Sequence, residues 1–381
     1  MPGNHVDTAP TLNDAMNSIN QVRLRPPAQR RPIGVALQGG GSWGAYTWGA
    51  LDALLASRSV TIAQLSGTSA GAINAAIVAS ALAKGSRAQA RKALLSFWLS
   101  IADPTASAVV RSLWAPFERQ WQMNDWLLPS RLMSLHGAAR VGIHPLRDAI
   151  ATHVDIDAIR SKAAPALFVT LTDVRTGRPR VISNDTMSID ALLASACLPD
   201  LYPAVEIAGE HYWDGGYGGN PTLWPMLESR ITNDIVIVQL MPDRVDEVPT
   251  DALAIRRRVE QIVFNSSLVA EMQAIHAMRL LAQRHAPARP VELRFHRIGP
   301  PRLELFGQGH GGERASAWLR LLYEEGLLAG RRFIAHHALD IGRRETLDIA
   351  GTFVDAPKPK IPMPESVAAH DDVAAVLSRA A

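Results

Sequence analysis

Apolar residues follow two rhythms along this chain. Short, mostly apolar runs, Ile33-Gly34-Val35-Ala36-Leu37, Val60 with Ile62 and Leu65, and Ile235 to Leu240, read as buried strands. Between and after them the spacing turns helical: Ala45 to Leu55, then Ile73, Ala76, Ile77 and Ala79 to Ala81. From Ser59 to Ala83 no residue is charged, a length that satisfies a membrane span. Gln64, Ser66, Thr68, Ser69 and Asn74 interrupt that stretch, and Gly67 and Gly71 break a continuous helix, so it reads as a buried strand, a turn and a core helix. Further on, Asp251 to Arg284 predicts a long helix whose Ile255, Val259, Ile262, Val269, Met272 and Ile275 would pack on the core. Val291 to Ile298 alternates like a strand, and Ala315 to His337 returns to helix.

The turn in the uncharged stretch carries the first candidate chemistry. Gly67-Thr68-Ser69-Ala70-Gly71 sets a serine between small residues at a strand-to-helix junction, where a sharp turn needs them to close. Ser69 would then sit at a helix N-terminus, whose unpaired N–H groups favour developing negative charge. A second signal follows the first strand: Gln38-Gly39-Gly40-Gly41-Ser42-Trp43-Gly44. Consecutive glycines leave backbone amides free to converge on one point, as an oxyanion hole requires. Gly39, Gly41 and Gly44 also match the dinucleotide-binding spacing, but that fold expects an acidic residue about twenty positions on. None occurs from Ala53 to Ala102. The third signal, Tyr212-Trp213-Asp214-Gly215-Gly216, reads as a carboxylate at a strand end or as a hairpin turn.

In this order and spacing the three motifs resemble the patatin-like phospholipases. His144-Pro145-Leu146-Arg147-Asp148, Ala194-Ser195-Ala196-Cys197-Leu198-Pro199 and Asn220-Pro221 look like the connecting text of bacterial members. The resemblance spans about residues 32 to 240. It implies an α/β fold, a three-layer α/β/α sandwich with a mostly parallel central sheet. It also implies Ser69 as nucleophile, Asp214 as its partner in a dyad without histidine, and the amides of Gly39, Gly40 and Gly41 as oxyanion donors. The activity it implies is hydrolysis of fatty-acyl esters, of phospholipase A or lysophospholipase type. A carboxylate is a weaker base than an imidazole, and burial of Asp214 would raise its pKa and offset this. An intracellular polyester (polyhydroxyalkanoate) depolymerase uses the same chemistry, and a non-catalytic lipid-binding scaffold is the alternative of another class. A triad is the mechanistic competitor, since His276, His285, His296, His310, His336 and His337 follow Asp214; surface or capping roles fit them better.

The resemblance divides the chain into a leader (1–31) expected to be disordered, a hydrolase domain (32–245), a mainly helical C-terminal extension packed on it (246–355), and a proline-rich linker and tail (356–381). Phe97, Trp98, Trp114, Phe117, Trp121 and Trp126 crowd one segment. Core packing accounts for such a cluster, and so does an acyl-chain channel with Trp114, Trp121 and Trp126 lining it. Composition adds bounds. The chain has 381 residues, 47% of them hydrophobic and 20% charged, which suits one large globular unit or two modest ones. One cysteine, Cys197, excludes an internal disulfide framework. No metal or cofactor motif is found, and none is expected. A net charge of +3 argues against nucleic acid as partner and leaves contact with a membrane or lipid-granule surface open. A leader lacking an apolar core points to the cytoplasm.

Overall fold

The computed structural model describes residues 30–102, 145–199, 202–285, 293–302 and 313–355. The leader up to residue 29, the segment with Trp114, Trp121 and Trp126, the glycine-rich segment with His310 and the proline-rich tail lie outside them. β1 (Arg31–Leu37) leads through a 3-10 turn (Gly41–Trp43) into α1 (Gly44–Ala56). β2 (Val60–Thr68) leads into α2 (Ala70–Lys84), followed by α3 (Arg87–Ala102). Then come α4 (Pro145–His153), α5 (Ile156–Arg160), β3 (Ala166–Asp173), β4 (Pro179–Ser183), α6 (Ile189–Ser195), β5 (Val205–Ile207) and β6 (Glu210–Asp214). The described chain closes with α7 (Trp224–Ser229), β7 (Asp234–Val238), α8 (Ala252–His285), β8 (Arg294–Ile298) and α9 (Glu313–His337). The uncharged stretch is indeed a strand, a turn and a helix, and among the described residues no helix is long and apolar enough to cross a membrane.

One sheet joins all eight strands along the path β5-β6-β3-β2-β1-β7-β8, with β4 pairing β3 off that path. β1 pairs in parallel with β2 and β7, β2 with β3, and β7 with β8, while β4, β5 and β6 are antiparallel additions. Helical crossovers cover both faces of such a sheet, so its central strands are buried on both sides, with Gln64, Ser66 and Thr68 of β2 and Thr170 and Thr172 of β3 as buried polar positions. Ile33, Val35 and Leu37 face one core with Leu51, Ile73, Leu94, Trp98 and Leu322 of α1, α2, α3 and α9. Ala36, Ile235 and Ile237 face the other, with Met226, Leu268, Met272 and Phe295. The result is a three-layer α/β/α sandwich.

Two features differ from the sequence reading. β8, from the segment read as the extension, is the sheet's outer strand beside β7. On α8 the core-facing stripe is Phe264, Leu268, Met272 and Ile275, whereas Ile255, Val259 and Ile262 are 45%, 53% and 51% exposed. At about 100° per residue those three project at least about 120° away from Leu268 around the helix. The 34-residue helix is apolar on two faces, and periodicity alone merged them into one.

α9 lies on α1 at backbone contact. A Cβ on Gly49 would stand 2.0 Å from the carbonyl oxygen of Tyr323, and one on Gly326 2.0 Å from that of Tyr46. Only glycine admits this crossing. Gly49→Val is therefore expected to cost at least about 2 kcal/mol by overpacking. Urea unfolding reads it directly, and a midpoint equal to the parent's would contradict the crossing.

Candidate active site

β2 and β6 meet end to end along one edge of β3. β4 pairs with Phe168 to Thr172 on one side of β3, so β2, paired with 166–170, and β6, paired with 171–173, share the other side. The last residue of β2, Thr68, lies opposite Thr170, and the last residue of β6, Asp214, opposite Leu171. Successive register positions thus bring Ser69, which follows Thr68, beside Asp214, although 145 positions separate them in the chain.

Ser69 occupies a backbone conformation that L-residues rarely adopt, φ 55° and ψ −125°. Such strain persists only where its surroundings impose it. Here the Ser69 N–H donates to Ser195 Oγ at 2.9 Å, and Ser195 donates in turn to the carbonyl of Thr170 at 2.7 Å. The turn closes tightly: a Cβ on Gly71 would stand 2.4 Å from the carbonyl oxygen of Leu37. Ser69 is buried at the N-cap position of α2, where its hydroxyl makes no capping bond and the amides of the first helical turn lie close by.

Asp214 is fully buried. Its N–H donates to the Cys197 carbonyl at 2.7 Å, and its own carbonyl accepts from Thr172 Oγ1 at 2.7 Å, which fixes the backbone. Oδ1 accepts from the Gly216 N–H at 2.8 Å, while Oδ2 has no hydrogen-bond partner among the described residues. Burial pushes the carboxyl up to about 7, against smaller downward pulls from the Gly216 amide and the Ser69 hydroxyl. That hydroxyl is close enough to stabilise the carboxylate, yet its contact falls short of hydrogen-bond geometry and Oδ2 stays open.

The glycine loop runs against the serine. A Cβ on Gly39 would come 2.6 Å from the Ser69 Cβ. The three glycine amides are not equivalent: Gly39 N–H is spent on Asn220 Oδ1 at 2.6 Å, whereas those of Gly40 and Gly41 have no partner among the described residues. Gly39 therefore shapes the loop, and the free donors are the next two amides. Fully buried Gln38 braces the loop from below, accepting from the Leu240 and Met241 amides at 2.8 and 2.9 Å and donating to the Asn220 carbonyl and Asn265 Oδ1 at 3.1 and 3.0 Å.

The remaining candidates fall away from this centre. His296 is completely buried, not on the surface, and bonds Asp234 and Thr346 near the outer edge of the sheet. No described histidine hydrogen-bonds Ser69 or Asp214. Glu271 is also raised to about 7 by burial, but its carboxylate accepts the Leu223 and Trp224 amides at 2.9 and 3.0 Å and so caps α7. Phe97 and Trp98 belong to the core. Trp43, just after the glycines, meets Trp318 of α9 edge-on at 5.3 Å. Among the described residues no cluster of His, Cys, Asp or Glu is arranged to hold a metal ion. Sequence reading missed Gln38, Ser195 and Asn220 as parts of the site. Their only signal was position: next to the glycines, or inside text that resembled the family without an assigned task.

A family model described as patatin-like phospholipase matches residues 35–227. Among solved structures, VipD from Legionella pneumophila is similar at 14% identity and a TM-score of 0.37, over 80% of this chain and 68% of that one. Full-length ExoU in complex with SpcU from Pseudomonas aeruginosa is similar at 17% identity and a TM-score of 0.26, over 86% of this chain and 77% of that one. Both likenesses are too loose to carry a function across. No curated protein matches.

The buried carboxyl has a consequence for stability. Its folded pKa of about 7 lies above the ordinary 3.8, so folding opposes its ionisation. The penalty is complete above about pH 7, shrinks as pH falls from there, and vanishes below 3.8. Asp214→Asn is expected to melt at a higher temperature than the parent at pH 8 and to lose that advantage near pH 4. Scanning calorimetry at both values checks it.

Proposed function

The chain belongs to the patatin-like phospholipase family, and on that premise we propose that it is a serine acyl hydrolase that cleaves fatty-acyl esters of lipids through a Ser69–Asp214 dyad. The observation that carries this reading is the pairing of a strained serine with a buried carboxylate whose Oδ2 is unengaged. A hydroxyl nucleophile needs a base within reach, and Oδ2 is the acceptor available to it.

Ser69 Oγ attacks the ester carbonyl as its proton passes to Asp214. The carbonyl oxygen becomes an oxyanion that accepts from the Gly40 and Gly41 amides, with the α2 N-terminus adding positive potential. Collapse expels the alcohol, which takes the proton from Asp214, and leaves an acyl ester on Ser69. Water then attacks the acyl ester as it gives a proton to the same carboxylate, and collapse breaks the bond to Ser69 Oγ, which takes that proton back as the acid leaves. A base with a pKa near 7 suits this role far better than one near 4, because proton transfer is most efficient when the pKa matches the working pH. A phospholipase A or lysophospholipase substrate fits the family and the mechanism.

Ser69→Ala and Asp214→Ala are each expected to abolish ester hydrolysis in a folded protein. Fluorophosphonate labelling followed by mass spectrometry is expected to find the adduct on Ser69, and its absence would leave a lipid-binding scaffold instead. A panel of phospholipids, lysophospholipids and aliphatic polyesters then separates lipase from depolymerase. Because Asp214 must be ionised to act, kcat/KM should rise with pH to a plateau above about 7 and fall about tenfold per unit below it. A flat profile between pH 5 and 8 would remove Asp214 as the base.

A further inference from the structure

We propose that Asn220 is a positioning residue for the oxyanion loop, setting the direction of the Gly40 amide by clamping Gly39; the proposal rests on the hydrolase reading above. Its carboxamide is completely buried and holds both polar groups of Gly39. Oδ1 accepts from the Gly39 N–H at 2.6 Å, and Nδ2 donates to the Gly39 carbonyl at 3.3 Å and to that of Phe264 at 2.8 Å. The backbone of Asn220 is fixed as well, its N–H donating to Ser267 Oγ at 2.8 Å and its carbonyl accepting from Gln38 Nε2 at 3.1 Å.

Peptide geometry turns the clamp into a catalytic constraint. The Gly39 carbonyl and the Gly40 N–H belong to one planar trans unit and point in opposite directions. Holding the carbonyl on Asn220 therefore turns the Gly40 N–H away from Asn220, where it has no partner among the described residues. Nothing in the glycines themselves secures this orientation. Without side chains they allow the unit to rotate, and rotation would present a carbonyl where the oxyanion needs a donor. Gly39 in turn abuts the Ser69 Cβ, so the clamp also sets the distance between loop and nucleophile.

Asn184, which is part-buried, supplies a control with the same bonding pattern elsewhere in the fold. Its Oδ1 accepts from the Leu167 N–H at 2.7 Å and its Nδ2 donates to the Ile159 and Pro165 carbonyls at 2.8 and 3.1 Å, the same three-bond pattern with no contact to the glycine loop. The experiment compares the parent, Asn220→Ala and Asn184→Ala on a short-chain p-nitrophenyl ester over pH 5 to 9, alongside urea unfolding. Both variants are expected to lose stability. Asn220→Ala is expected to lower kcat by about 10²- to 10³-fold, as loss of an oxyanion donor does, with KM changed by less than about threefold. Its pH midpoint should stay near 7, because Asn220 does not touch Asp214. Asn184→Ala is expected to keep parental kcat within about twofold.

An active parent with Asn220→Ala near parental kcat would overturn the clamp alone. So would a midpoint that drops with the rate, since that reports a wetted Asp214 and a merely structural role. A parent with no Ser69-dependent turnover on any ester would overturn the hydrolase reading, and the clamp with it. Should Asn220→Ala fail to fold, Asn220→Asp decides, because it keeps the size and the acceptor for Gly39 but not the donated amide bonds. A drop in kcat of at least about tenfold supports the clamp, and parental kcat refutes it.

Discussion

A fully buried carboxylate lies beside a serine hydroxyl because two strands end against each other on the flank of a third. β3 provides the ruler. Thr170 sets the end of β2 and Leu171 the end of β6, so the separation of Ser69 and Asp214 is fixed by one step of strand register. The surrounding bonds protect that register. Thr172 holds the Asp214 carbonyl, Cys197 its amide, and Ser195 ties the strained Ser69 amide to Thr170 of the same strand. Both ends of the pair are unfavourable in isolation, one in backbone angle and the other in desolvation. The parallel core around β1, β2 and β3 offsets them, since its side chains are packed on both faces. Under the proposed mechanism the destabilised state is the reactive one: an ionised Asp214 that gains from accepting a proton.

The glycine loop poses the opposite difficulty. It has too much freedom rather than too little, and a hydrophobic core cannot direct a peptide plane. Polar groups do so here from inside the protein. Gln38, Asn220 and Asn265 form a buried cluster whose described bonds run largely to backbone atoms. Such a cluster is favourable only when its members are satisfied, and it then specifies one geometry. That accounts for fully buried amides beside a loop that exposes so little side chain of its own.

Much of this was legible in the letters, and what escaped has identifiable causes. The elbow, the glycine run and the Asp-Gly-Gly triplet announce themselves because each needs small residues at fixed offsets. The strands and long helices show through period and length. Lateral pairing does not show, since no local signal tells β6 that it will meet β2 rather than extend the sheet. On α8, Ile255, Val259 and Ile262 recur at helical intervals but out of phase with Leu268, and the letters do not say which of the two phases meets the sheet. His296, for which a surface or capping role was expected, is buried, because a histidine in a short strand carries no mark of the Asp234 that buries with it. The Gly39 amide looked as available as its neighbours, since its acceptor lies 181 positions away in sequence.

Those distant partners also explain why the site draws on nearly the whole described chain. α8 brings Phe264 against Gly216, where a Cβ would stand 2.3 Å from its ring, and the Phe264 carbonyl anchors Asn220. The same helix carries Asn265 to Gln38. From the other face α9 sets Trp318 against Trp43, at the end of the glycine turn, and its Gly326 seats it on the backbone of α1. Segments late in the sequence thus grip the acid side of the site from one layer and the glycine loop from the other. A change on α8 that leaves the hydrophobic packing intact can still reach the candidate site, because part of the route runs through the hydrogen bonds from Gln38 to Asn265 and from Asn220 to the Phe264 carbonyl, whereas α9 acts through packing.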